Sequence, residues 1–262
     1  PPSAALGPPI CFSSAMNENA QPPLVIIQTG LPPEPVSNRH GTFSCMIREA
    51  AGLRAGDIEI VAVHQGAQLR PPSSYRAAII TGSPAMVTDL ADWSERTADW
   101  IRRAVDLGLP ILGICYGHQL LAHALGGRVD FHPRGREVGT QTVELLPAAG
   151  DVPLLAGLPS HFPAHLIHQQ SVMEIPAGAT VLARSEHDAH QIVRYGDGVI
   201  SSQYHPEFCP RIMGTYLTHF GPRLGEEGFD VQALSARLRP APEARELLLR
   251  FVRQHAALQE AA

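Results

Sequence analysis

The run Gly113-Ile114-Cys115-Tyr116-Gly117 stands between an apolar stretch, residues 110–114, and a helical pattern over residues 120–125. Together these segments predict a strand, a sharp turn and a helix, with the Cys115 thiol at the tip. A strand can enter a helix this abruptly only if the two backbones approach closely. A glycine two residues to either side of the cysteine leaves room for that approach and for a strained residue between them. A turn of this kind presents a nucleophile, and the N-terminus of a helix is a place where thiols ionise more readily. The competing reading is a buried structural cysteine in a βα turn.

The same alternation runs through the first half of the chain. Residues 24–28 read as a buried strand; Phe43, Ile47, Ala50 and Ala51 have helical spacing closed by Gly52; residues 58–63 and 75–80 are two further strands. Asp92 with Glu95 resembles a capping pair for a helix whose face is Trp93, Thr97, Trp100, Ile101, Ala104 and Val105, ended by Gly108. Strands and helices alternating at these lengths imply a parallel sheet covered on both faces. From Val138 onward, strands at 140–146, 179–183, 191–195 and 199–204 follow one another, with a hairpin turn at Gly196-Asp197-Gly198, so antiparallel pairing beside the parallel sheet is expected. Helices are expected at 210–220, 231–238 and 243–257. The last carries Leu247, Leu248, Phe251 and Val252 on one stripe, suited to the core or to the partner of a homodimer.

A second chemical signal is Tyr204-His205-Pro206-Glu207-Phe208, just beyond the strand at 199–204. A thiol nucleophile needs a base and later an acid, and histidine serves as both near neutral pH. The histidine needs a third group to hold its orientation, and a carboxylate does that. Together the two segments resemble the class I, triad-type glutamine amidotransferase family, whose signatures are G-x-C-x-G-x-Q and H-P-E. Thr81-Gly82-Ser83-Pro84 matches the family's glycine-rich oxyanion turn, with Ser83 in place of the usual second glycine. Arg136-Glu137-Val138-Gly139 is similar to the Arg-Glu-x-Gly segment of the family's GMP-synthase branch. The run from His168 to Val172 sits where that branch has a His-Gly-Asp-x-Val turn, with Gln169 replacing the glycine.

This resemblance implies a three-layer, flavodoxin-like α/β fold: a mixed sheet with helices on both faces, spanning residues 24–222, with a C-terminal helical extension over 223–262 packed on the same domain. It further implies hydrolysis of a γ-glutamyl amide with release of ammonia, through a thioester on Cys115. His205 and Glu207 complete the catalytic triad, Gly82, Ser83 and Tyr116 form the oxyanion hole, and Gln119, His168, Gln169 and Gln170 contact the substrate. No cofactor or metal is required. Glutamine or a γ-glutamyl small molecule is the expected partner, with a synthase subunit as a possible acceptor of the ammonia. Two alternatives stand beside this reading: a stand-alone γ-glutamyl peptidase, and a non-catalytic binding or regulatory subunit on the same fold.

Composition narrows the remaining classes. The 262 residues suit one sizeable domain with an appendage, and the first 23, rich in proline and serine, are expected to form a disordered extension rather than a secretory signal. Net charge is -5, and all 20 basic residues are arginine, without a dense basic stretch; nucleic acid is therefore not an expected partner. No apolar run approaches the ~18–20 residues of a membrane span. Cys11, Cys45, Cys115 and Cys209 are spaced too widely for a metal knuckle or a dense disulfide framework, and a reactive thiol suits a reducing, cytoplasmic compartment. His118, three residues from Cys115, has no carboxylate nearby in sequence and reads as packing. His187, Asp188 and His190 read as a turn rather than a metal cluster.

Overall fold

A computed structural model describes residues 21–255. Residues 1–20 lie outside that range, and with them Cys11 and most of the extension expected over 1–23; so do residues 256–262 at the end of the last expected helix. In chain order the first half contains β1 (Leu24–Gln28), α1 (Glu34–His40), α2 (Phe43–Ala51), β2 (Ile58–Ala62), β3 (Ala77–Ile80), α3 (Asp92–Asp106), β4 (Ile111–Ile114) and α4 (Tyr116–Ala124). The second half contains β5 (Arg128–Phe131), β6 (Glu137–Leu145), β7 (His161–His168), β8 (Gln170–Glu174), β9 (Thr180–Ser185), β10 (Ile192–Gly196) and β11 (Val199–Ser202). It ends with α5 (Pro210–Glu226), α6 (Val231–Ala236) and α7 (Pro242–His255).

Nine strands form one sheet in the order β2-β1-β3-β4-β11-β10-β9-β6-β7, and β5 pairs with β8 in a small separate ribbon. The strands from β2 to β11 are parallel neighbours, and those from β11 to β7 are antiparallel. The expected mixed sheet is therefore present. Successive residues of β1 supply both of its faces. Leu24 and Ile26 join the cluster that contains Ile47 of α2 and Leu247 and Phe251 of α7, whereas Val25 and Ile27 join the cluster of Trp100 and Ile101 of α3 and Leu120 and Leu121 of α4. Burial on both faces is why these strands read as unbroken apolar runs rather than alternating ones.

Several local expectations are corrected. Asp92 does not cap α3: Ala91 is the N-cap, no side chain caps it, and Glu95 instead meets His123 Nε2 at 2.9 Å. Asp92 sits inside the first turn, where its charge still complements the helix dipole. Helix α5 continues past Phe220, through Pro222, to Glu226, so it crosses the boundary expected between residues 222 and 223. The segment around His168, expected as a turn, is the end of β7, and a bend at Gln169 carries the chain over to β8 in the second sheet.

The segments that follow β1, β3, β4 and β11 converge at one end of the sheet. Thr29, Thr81–Ser83, Cys115 and residues 203–207 meet there. In open α/β sheets the carboxyl ends of parallel strands are where ligands bind.

Candidate active site

Cys115 has φ 52° and ψ −100° as it leaves β4, and among the described residues only Leu90 shares a positive φ on a residue with a side chain. The turn is held from both sides: Cys115 N–H donates to the Ser202 carbonyl at 2.8 Å and Gly117 N–H to the Thr81 carbonyl at 3.2 Å. The flanking glycines are required by contact. A Cβ on Gly113 would lie 2.5 Å from the Gly117 carbonyl oxygen, and one on Gly117 would lie 2.5 Å from the Ile80 carbonyl oxygen.

His205 and Glu207, expected as partners, are together and almost fully buried. His205 Nδ1 lies 2.8 Å from Glu207 Oε1. The ring stacks on Phe208, with centroids 4.0 Å apart, and on Phe43 at 6.1 Å; the backbone N–H of His205 is tied to the His165 carbonyl. Burial by itself lowers the imidazole's pKa. The charges of Glu207 and Cys115, and hydrogen bonds to both, outweigh that burial and raise it well above the ordinary value. Because a carboxylate only accepts, Nδ1 is the donor to Glu207, which leaves Nε2 for Cys115.

The 82–83 peptide is positioned by the strand ends. The Gly82 carbonyl accepts from the Thr29 and Thr81 hydroxyls at 3.0 and 2.9 Å, and no cis peptide occurs among the described residues. In a planar trans peptide the Ser83 N–H therefore points away from those two threonines. Neither it nor the Tyr116 N–H at the start of α4 finds an acceptor among the described residues. Gly82 itself tolerates no side chain, since a Cβ there would lie 2.9 Å from His205 Cε1 and 3.7 Å from Cys115 Cβ. The Tyr116 side chain turns the other way, its hydroxyl 2.7 Å from Ser94 Oγ, and burial raises its pKa to about 12.

Gln119, His168, Gln169 and Gln170 all line the cavity of about 220 Å³ above Cys115. The side chains of Gln119, His168 and Gln170 are already engaged. Gln119 Nε2 donates to the Gln170 carbonyl and to Gln203 Oε1, and the Gln170 side chain is committed to Val87 N–H and Thr88. His168 donates from Nδ1 to the Gln170 carbonyl and from Nε2 to Glu137 Oε2, both at 2.9 Å. Glu137 also accepts from Ser185 and Gln191. Two acceptors, one of them a carboxylate, face its two ring nitrogens, an arrangement that favours the imidazolium. Burial opposes that charge, and the Glu137 hydrogen bond and charge outweigh it, raising the pKa. Glu137, His168 and Asp188 offer ligand atoms within 4.8 Å of one another, with both ring nitrogens of His168 engaged, Nδ1 at the Gln170 carbonyl and Nε2 at Glu137. His118 is fully buried against Ser201, and desolvation lowers its pKa to about 3; it is packing, as expected.

The cavity has walls that the sequence reading did not assign: Phe43 from α2, Arg136 beside β6, and Tyr216, Phe220 and Arg223 from α5. Tyr216, Phe220 and Arg223 follow i, i+4, i+7 spacing, which puts them on one helical face; that periodicity was the available signal.

The model of the glutamine amidotransferase class-I family matches residues 36–220. The chain is 38% identical over 144 residues to a GMP synthase [glutamine-hydrolyzing] of Thermomicrobium roseum, covering 55% of this chain and 25% of that relative. It is 29% identical over 141 residues to gamma-glutamyl peptidase 5 of Arabidopsis thaliana, covering 53% of this chain and 56% of that one. These matches thus span about a quarter of the synthase and just over half of the peptidase. Among solved structures, a glutamine amidotransferase from Thermotoga maritima has a TM-score of 0.71 at 20% identity, covering 92% of this chain and 100% of its own. One from Methylobacillus flagellatus has a TM-score of 0.68 at 22% identity, covering 93% and 98%. Likeness at these identities establishes a shared fold. Among the described residues no helix is long and apolar enough to cross a membrane.

Proposed function

The chain belongs to the class-I glutamine amidotransferase family, and on that premise we propose that it hydrolyses γ-glutamyl amides, glutamine among them, through a thioester on Cys115. The observation that carries this reading is the meeting of three groups: a thiol on a strained elbow, a buried histidine facing the same cavity, and a buried carboxylate 2.8 Å behind that histidine.

Cys115 attacks the side-chain carbonyl of the glutamyl group. The oxyanion that forms is met by the free N–H groups of Ser83 and Tyr116, and one such donor is worth about 3 kcal/mol in measured oxyanion holes. His205 gives its proton to the departing nitrogen, releasing ammonia from glutamine or an amine from a substituted amide. Water, deprotonated by the same imidazole, then cleaves the thioester and regenerates the thiol. Glu207 holds the ring and stabilises its charge throughout. Gln119 and His168 act by fixing the main chain at Gln169 and Gln170, the wall against which the glutamyl group rests.

Relatives named GMP synthase favour a synthase partner that consumes the ammonia, and those named gamma-glutamyl peptidase favour direct hydrolysis of peptides. The pinned 82–83 peptide supports turnover by the isolated chain, because the oxyanion donor does not wait on a partner to turn it. A purely binding role would leave the strained thiol and its buried ion pair without a use. The deciding assay measures glutamine and γ-glutamyl dipeptide hydrolysis by the purified chain, with and without cell extract. Cys115→Ala should abolish turnover and His205→Ala should cost on the order of 10³-fold or more, both with unchanged circular dichroism. An unaltered rate in Cys115→Ala would overturn the assignment.

A further inference from the structure

The catalytic cavity continues past the triad, and its far end is cationic. Its lining runs on from Cys115 and His205 to Tyr216, Phe220, Arg136 and Arg223. One wall of this extra space starts at His205. The ring of Phe208 stacks on His205 at 4.0 Å, Tyr216 on Phe208 at 5.2 Å and Phe220 on Tyr216 at 6.2 Å, and the Arg136 guanidinium lies 5.8 Å over Phe220. Since His205 protonates the leaving nitrogen, the leaving group lies on this side of the thiol, and the lining runs from there over Tyr216 and Phe220 to Arg136, with Phe208 tying the rings together from outside the cavity.

At the end of the wall Arg136 and Arg223 share one carboxylate. Glu227 Oε2 is 2.8 Å from Arg136 Nε, and Oε1 is 3.0 Å from Arg223 Nε. Two cations facing one anion leave a net positive charge at the rim. Both guanidiniums also converge on a neutral acceptor: with the Gln169 amide oxygen turned toward them, it accepts from Arg136 at 2.6 Å and from Arg223 at 3.0 Å. That oxygen stands where a carboxylate oxygen would bring its own negative charge to the same two donors and turn hydrogen bonds to a neutral acceptor into ion pairs.

We propose that the α5 wall and the Arg136–Arg223 pair form a subsite for the leaving group, and that this subsite takes an amine bearing a carboxylate, so γ-glutamyl peptides are preferred over amides with a neutral leaving group. The proposal rests on the reading of Cys115 as nucleophile. Gln169 swings aside as the substrate carboxylate takes its place between the guanidiniums, while Glu227 keeps them parallel.

The test compares kcat/KM of the purified chain for γ-glutamylglycine and for γ-glutamylglycinamide, which match in size and differ in one charge. The carboxylate should be favoured by about tenfold or more, and the ratio should shrink in high salt. In Arg223→Gln, where the replaced side chain is 58% exposed and the fold has little to lose, the ratio should fall toward one. Isothermal titration of Cys115→Ala with the same two ligands should show the same order of affinity without any chemistry. Tighter binding of the dipeptide to Cys115→Ala, with no turnover of any γ-glutamyl compound by the native chain, would break the hydrolytic reading and keep the subsite. Equal kcat/KM for the two peptides, or a preference that responds only to amidation of the glutamyl α-carboxylate, would overturn the subsite itself.

Discussion

His205 is enclosed by Phe43 and Phe208, and burial of that kind disfavours a charged ring. Glu207 and Cys115 nonetheless outweigh that burial and raise its pKa, because each stabilises the imidazolium. Removing the Glu207 charge while keeping its shape therefore has a definite sign. In Glu207→Gln the amide oxygen can still accept from Nδ1, so the ring stays oriented, but the negative charge that does most to raise its pKa is gone. In the proposed mechanism His205 protonates the leaving group, so the alkaline limb of kcat/KM, where that proton is lost, should move to lower pH. The variant should also keep at least tenfold more activity than His205→Ala. A pH–rate profile reads both, and an alkaline limb that does not move would remove Glu207 from its role. These three residues were legible in the sequence because each is marked locally: Cys115 by its glycines, His205 and Glu207 by the proline between them. Arg136 and Arg223 were not, because only the crossing of α5 over the end of β6 brings residues 87 positions apart to one amide oxygen.

At the level of elements, the elbow at Cys115 and the turn at Gly82-Ser83 both need glycine, for reasons that experiment can separate. Gly117→Ala would press its Cβ on main-chain atoms of β3, 2.5 Å from the Ile80 carbonyl oxygen, and neither strand nor helix can yield there. Gly82→Ala would meet chiefly the His205 ring, at 2.9 Å. The first substitution should destabilise the fold by about 3 kcal/mol or more, within the range for overpacking and forced backbone shifts. The second should leave the melting temperature within a few degrees of native and remove most turnover, since the imidazole is pushed from the thiol. Thermal melts beside activity assays report the difference, and an active Gly82→Ala protein would refute the close approach. Elements without strong periodicity escaped the sequence. β7 alternates poorly, with Pro163 in its middle, yet it is the edge strand of the sheet, where proline has no outward ladder bond to lose. α5 was expected to stop before Pro222, and its continuation to Glu226 is what carries Arg223 to the cavity.

Across the whole molecule, the site depends on a sheet whose two faces are closed by helices from opposite ends of the chain. Leu247, Leu248, Phe251 and Val252 of α7, a stripe that suited either the core or a partner subunit, are at most 1% exposed and pack in one cluster with Leu24 and Ile26 of β1, Ile47 of α2 and Leu166 of β7. The helix thus fills the layer that α2 alone leaves open, and none of its residues lines the catalytic cavity. Truncating Phe251 to Ala should therefore cost about 3–5 kcal/mol, the range for a large aromatic removed from a packed core. That is a large share of the roughly 5–15 kcal/mol by which domains are stable. The urea midpoint should fall accordingly, with little change in kcat/KM measured well below that midpoint, because no group that touches the substrate has moved. The midpoint should also be independent of protein concentration, since this stripe is covered from within the same chain. A midpoint that rises with concentration, or one unaffected by Phe251→Ala, would instead place α7 at an interface between two copies and leave the second face of the sheet to be closed by something else.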